Sequence, residues 1–147
     1  MRFMMIVKAN KDSEAGVLPS RELLEAMGKF NEEMVKAGVL LAAEGLQASS
    51  KGVRIKFSGA KRTVIDGPFT ESKELIAGFW LIQVKSKEEA IEWASRSPNP
   101  HGVDQESEIE IRQVFEAADF PAEVFPPEGA SREQALRGEL QRRSAKP

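Results

Sequence analysis

Phe3 to Val7 is a continuous apolar run with a charge at each end, the pattern of a strand buried on both faces. Residues 9 to 19 are polar and end in Pro19, which predicts a loop. Ser20 is a good N-cap, and Leu23, Met27, Phe30 and Met34 then recur at spacings of four, three and four. That is one helical stripe, widened by Leu24 and Val35 and closed by Gly38. Val39 to Ala43 reads as a second buried strand, followed by Glu44-Gly45.

The period then changes. Val53, Ile55 and Phe57 alternate with Arg54 and Lys56, Ser58-Gly59-Ala60-Lys61 makes a turn, and Thr63-Val64-Ile65 returns. This predicts a β-hairpin with one solvated face. Gly78 to Val84 is the strongest strand in the chain. Ser86 and Glu89 form a capping box, and Ala90, Trp93 and Ala94 give the following helix its apolar face until Pro98 and Pro100 stop it. Glu108 to Phe115 alternates again and is the last strand. From Ala117 the chain turns proline-containing, with a short, weakly amphipathic helix expected from Ser131 to Arg143.

The order is β-α-β-(β-hairpin)-β-α-β, an α+β domain. With the hairpin set aside, it is the split β-α-β of a ferredoxin-like fold, whose helices share one face of the sheet. Yet two strands are apolar on both faces: Trp80, Ile82 and Val84 point one way, Phe79 and Leu81 the other. A two-layer monomer would leave one such face in water. Contiguous apolar surface of that size predicts a partner, most simply a second copy packed sheet to sheet.

Composition narrows the function. A chain of 147 residues, 41% apolar and 30% charged, is globular, and 1–116 is expected to form one domain, with 117–147 as an extension. The net charge of −2, with Lys and Arg spread along the chain, argues against nucleic acid as a partner. No stretch approaches the ~20 apolar residues of a membrane span, and the first apolar run is too short for a signal-peptide core. There is no cysteine, which excludes disulfides and thiolate catalysis and fits a cytoplasmic location.

Between hairpin and central strand lies Asp66-Gly67-Pro68-Phe69, then Glu71-Ser72-Lys73-Glu74, then Gly78-Phe79-Trp80. With Ala43-Glu44-Gly45-Leu46 and Ile109-Glu110-Ile111-Arg112, this resembles the DGPF branch of the YCII-related family, over residues 1 to about 116. The resemblance implies a dimeric α+β barrel with a cleft between sheet and partner elements, and no cofactor. Better-understood relatives resemble small-molecule isomerases or lyases and carry a His–Asp pair, on the first helix and near the end of the second. Here those positions fall around Met27-Gly28 and at Ser95-Arg96-Ser97, so the pair is not carried over. Members of the DGPF branch also accompany extracytoplasmic sigma factors, which implies a regulatory role as the alternative.

Several residues are candidates for chemistry. Asp66 ends a strand at a turn, where its carboxylate can accept following backbone N–H groups. Two readings stand: a rigid turn that aims Phe69 into the core, or the rim of a cleft with Asp66 facing a ligand. Glu44 follows an apolar strand and precedes a glycine that permits close approach, so Glu44 and Asp66 are the candidate carboxylate bases. Glu71 and Lys73 follow the turn. Lys73 suits an anionic ligand, or an ion pair with Asp66 or Glu44. Arg112, on the polar face of the last strand, can grip a carboxylate bidentately. His101, the one histidine, sits in a proline-flanked loop and is expected to be solvated; no metal site is expected. The site residues thus point to a small anionic or carbonyl-bearing metabolite and to cofactor-independent proton transfer as the reaction class.

Overall fold

The computed structural model describes residues 1–70 and 73–145, so Glu71 lies outside the described residues. The chain forms two compact units, one from Met1 to Val114 and one from Phe115 onwards. The first unit is α+β. Its strands β1 (Arg2–Lys8), β2 (Leu40–Gly45), β5 (Ile76–Gln83) and β6 (Ile109–Gln113) form one antiparallel sheet in the order β2-β5-β1-β6. The strands β3 (Val53–Ser58) and β4 (Lys61–Asp66) form a separate two-stranded ribbon. Between β1 and β2 come a one-turn helix α1 (Lys11–Glu14) and the long α2 (Arg21–Lys36), and α3 (Lys87–Ser95) links β5 to β6.

The helical stripe explains where α2 lies. Phe30 and Met34 are buried, and Met27 packs against the same cluster. Ser20 caps the first turn by accepting from the Leu23 N–H at 3.1 Å, and Gly38, at φ +74, follows the C-cap Ala37. On α3, Ala90 and Trp93 are buried, and the Ser86 hydroxyl accepts from Glu89 N–H at 3.1 Å. The expected reciprocal bond differs: Glu89 accepts from the Lys85 N–H at 2.9 Å, one residue earlier than a capping box requires.

Both long helices cover the same sheet face, which presents Phe3, Met5, Val7, Trp80 and Ile82. The Phe30 and Trp80 rings meet edge to face at 5.7 Å, and Asn31 accepts the buried indole N–H of Trp80 at 2.8 Å. Alternation along β1 and β5 then sends Met4, Ile6, Phe79 and Leu81 to the opposite face, where each is half-buried. Ile82 is fully buried under the helices, whereas Phe79 and Leu81 are on the opposite face.

Other expectations need correction too. The polar stretch 9–19 holds a helical turn, α1, capped reciprocally by Asn10 and Ser13. The strand β2 is at the sheet edge and only partly buried: Val39 just before it is in the core, Leu40, Ala42 and Ala43 are half-buried, and Leu41, Glu44 and Gly45 are exposed. Leu24 and Val35 do not widen the buried stripe of α2; both are exposed. In the second unit, the helix expected from Ser131 begins earlier, as α4 (Pro127–Ser144), because proline at the first helical position forfeits no hydrogen bond. In that unit Phe115, Phe120 and Phe125 stack in series, at 4.9 and 5.9 Å between ring centroids.

The hairpin matches its pattern with one difference. Ile55 pairs with Val64 and Phe57 with Arg62, across a two-residue Gly59-Ala60 loop with Gly59 at φ +59, the conformation a II′ turn requires at its first position. One solvated face was expected; instead all six residues of each strand are exposed, apolar ones included.

Candidate functional site

Directly paired residues on neighbouring strands share a face. The register therefore writes out the open side of the sheet. One row reads Glu44, Phe79, Ile6, Glu110, and the next reads Ala42, Leu81, Met4, Arg112. Four apolar side chains occupy the centre. Glu44 stands at one edge strand, and Glu110 with Arg112 at the other. Glu110 is 3.5 Å from both the Lys8 ammonium and the Arg112 guanidinium. Gly78 is required here for close approach: a Cβ on it would lie 2.8 Å from the Glu44 carbonyl oxygen, so any side chain would push β2 away.

The structure does not assemble the expected residues within one chain. Glu44 and Arg112 lie on opposite edge strands, three interstrand spacings or roughly 14 Å apart. Asp66 is exposed at the end of β4 and pairs with Val53 in the separate ribbon. Lys73 is exposed and forms no ion pair with a described residue, so the pairing with Asp66 or Glu44 is not made. Two clefts among the described residues are lined by other groups. One of about 450 Å³ lies between α3 and β6, and one of about 430 Å³ belongs to the phenylalanine cluster of the second unit. No group of three or more carboxylate or imidazole side chains suited to a metal ion occurs among the described residues.

The Asp-Gly-Pro-Phe turn has a clear local cause. After β2 the chain makes a 3-10 turn at Ser49–Lys51, and the segment after β4 packs directly on it. The Gly67 N–H donates to the Gly52 carbonyl at 3.0 Å, and the Phe69 N–H donates to the Ser49 hydroxyl at 3.0 Å. Ser49 is held in turn by Glu14 of α1, whose carboxylate accepts the Ser49 N–H at 2.9 Å and the Ser49 hydroxyl. A Cβ on Gly67 would stand 1.8 Å from the Ser49 carbonyl oxygen, so glycine is mandatory there. Asp66 does not supply the turn's acceptor; Ser49 and Gly52 do. Phe69 is half-buried rather than in the core, with the Arg54 guanidinium 3.8 Å above its ring. Sequence reasoning missed Glu14 and Ser49 because their contacts span 35 and 20 residues. The one available signal was the capped turn after Asn10.

His101 is half-buried and bonded rather than free in a solvated loop. Its Nε2 is 2.7 Å from the Lys8 carbonyl oxygen, which fixes Nε2 as the protonated nitrogen, and its backbone N–H donates to Asn99 at 3.1 Å. Asn99 also accepts from the Ser107 hydroxyl and donates to the Gln105 carbonyl at 2.7 Å. The histidine therefore fastens its loop to the end of β1.

No helix among the described residues is long and apolar enough to cross a membrane. An uncharacterized protein of Rhizobium meliloti (strain 1021) is 25% identical over 100 residues, which cover 68% of this chain and 81% of that relative. The sequence profile of the YCII-related domain matches residues 1–118, the whole sheet with its two long helices and the hairpin. The chain belongs to the YCII-related family.

Proposed function

We propose that this YCII-related protein works as a homodimer of the dimeric α+β barrel type and binds a small anionic or carbonyl-bearing metabolite over the open side of its sheet. One observation carries this reading. The open face has four apolar side chains at its centre and ionised groups, Glu44, Glu110 and Arg112, at its margins. An apolar floor with a few polar groups at the edge is the usual make-up of a metabolite site once a cover excludes water. Arg112 offers the fork that recognises a carboxylate, and Glu44 the carboxylate that could move a proton. Asp66, Lys73 and Glu71 are proposed to belong to the same site, brought in by the hairpin and the turn after it. As an enzyme it would be isomerase- or lyase-like, with no cofactor.

The exposure of Glu44 and Asp66 favours a second reading, a non-catalytic regulatory protein. The two part on ligand binding. A panel of small carboxylates, oxo acids and neutral carbonyl compounds should contain members that raise the melting temperature of the wild-type protein. A ligand at ~100 times its Kd adds about 2.7 kcal/mol of stability. The gain should vanish in Arg112→Ala for the carboxylates. If no member of the panel shifts the transition, or if Arg112→Ala leaves every shift intact, the metabolite site proposed here does not exist.

A further inference from the structure

The β3–β4 hairpin is the part of the first unit that folding of one chain leaves unexplained. A two-stranded ribbon with an uncovered apolar face is marginally stable in water, and the one ring contact made here with a described residue outside the strands, Arg54 over Phe69, is on the opposite face. All six residues of each strand are exposed, and the register sorts them sharply. One face presents Val53, Ile55, Phe57 and Val64, with Arg62 and Asp66 at its two ends. The other presents Arg54, Lys56, Ser58, Lys61 and Thr63, with Ile65 as its large apolar residue. The second face carries three cations, Arg54 (over the Phe69 ring), Lys56 and Lys61, whereas the first carries Arg62, over the Phe57 ring, and Asp66 at its ends, so the first is the more apolar face and the one for a partner to cover. A ribbon that needs cover to persist needs it permanently, and the cover that is always present is another copy of the same chain.

The same chain offers a matching surface. The open sheet face presents Met4, Ile6, Phe79 and Leu81, and both long helices lie on the opposite side. The dimensions agree. A six-residue strand spans roughly 20 Å, and the four strand axes span roughly 14 Å, so the ribbon is long enough to cross the sheet. The area argument points the same way. The sheet face covers on the order of 300 Å² in projection, well short of the ~800 Å² per partner of a standard interface. Two-fold symmetry makes each protomer give a sheet face and also a ribbon face, which moves the total towards that size.

We propose that the hairpin of each protomer docks by its Val53–Ile55–Phe57–Val64 face on the open sheet of the other, and so carries its Asp66 to the partner's sheet. This rests on the homodimer reading and adds to it that the site is composite. Glu44 and Arg112 would come from one protomer and Asp66 from the other, which accounts for Asp66 standing on a ribbon separate from the sheet within a single chain.

The chain contains no cysteine, so single cysteines can be placed freely. Differently tagged Ile55→Cys and Leu81→Cys full-length chains, co-expressed and treated with a short bis-maleimide, should give a cross-link between unlike chains as the dominant product. Lys56→Cys, on the opposite ribbon face, should link to Leu81→Cys several-fold less. Equal linking by Lys56→Cys overturns the proposed orientation. Links only between two Ile55→Cys chains mean ribbon–ribbon pairing and overturn the docking. A dimer by sedimentation with no Ile55–Leu81 link overturns this inference and leaves the homodimer standing, whereas a monomer defeats both.

Discussion

Replacing Gly67 by alanine should damage the protein more than any other glycine-to-alanine change on its surface loops. The new methyl would sit 1.8 Å from the Ser49 carbonyl oxygen and 2.7 Å from its carbonyl carbon. Both are backbone atoms, so no side chain can swing aside. Relief requires a shift of more than 1 Å between two segments, at a normal C···O contact of roughly 3.4 Å. A shift that large breaks the Gly67–Gly52 and Phe69–Ser49 hydrogen bonds, both 3.0 Å long. Each contributes about 0.5–1.5 kcal/mol, and the Ser49–Glu14 bonds beside them, to a charged acceptor, about 1.5–3. The alanine stiffens the unfolded chain and returns about 0.4–1 kcal/mol. The net loss should be about 2–4 kcal/mol. Urea unfolding followed by tryptophan fluorescence suits the purpose, since Trp80 and Trp93 are both in the core. Gly28→Ala is the control. It lies within α2 with nothing within 4 Å of its added Cβ, so helix propensity should make it more stable by about 0.8–1 kcal/mol. A Gly67→Ala protein as stable as wild type would refute the account of why this motif contains glycine.

Phe69→Ala should cost about 1–2 kcal/mol by urea titration, less than for a fully buried ring, because the ring is half-buried and its main extra partner is the Arg54 guanidinium. Lys73→Ala should change stability by less than about 1 kcal/mol, as exposed charges do, while weakening any anion that raises the wild-type melting temperature. His101→Ala should lower stability by about 1 kcal/mol in the same assay through loss of the bond to the Lys8 carbonyl; an unchanged midpoint would mean that the imidazole is not a fastener. Truncation after Ala118 should leave the cooperative unfolding of the first unit intact, and an insoluble product would show the segment to be structural.

The chain's patterning showed the sheet and its helices well, and the reason is physical. Ser20, the 23–27–30–34 stripe and Gly38 are local signals, and each acts within a few residues of itself. The alternation of β5 likewise separated the side chains of its two faces, but not which of the two faces the helices would cover. What stayed hidden depends on contacts distant in sequence. Nothing near Gly67 announces that Ser49 will occupy the space of its missing side chain, and nothing near His101 announces the carbonyl of Lys8. Exposure is hidden for the same reason. Leu24 and Val35 carry the right spacing for the core stripe, yet the helix turns them towards solvent, because Phe30 and Met34 already fill the contact with the sheet. The candidate site was legible as residue types and illegible as an arrangement. Glu44, Asp66, Lys73 and Arg112 are all displayed by the fold, on elements that a single chain does not bring together.

The central claim is that the open sheet face is closed by a second copy. Sedimentation equilibrium of the full-length protein at micromolar concentration tests it most directly, with Leu81→Glu beside the wild type. The wild type should sediment at twice the 16.2 kDa chain mass. Leu81→Glu should sediment as a folded monomer, since burying its unpaired carboxylate in the interface would cost several kcal/mol. A wild-type protein that remains a monomer, or a Leu81→Glu dimer as tight as wild type, would contradict the account.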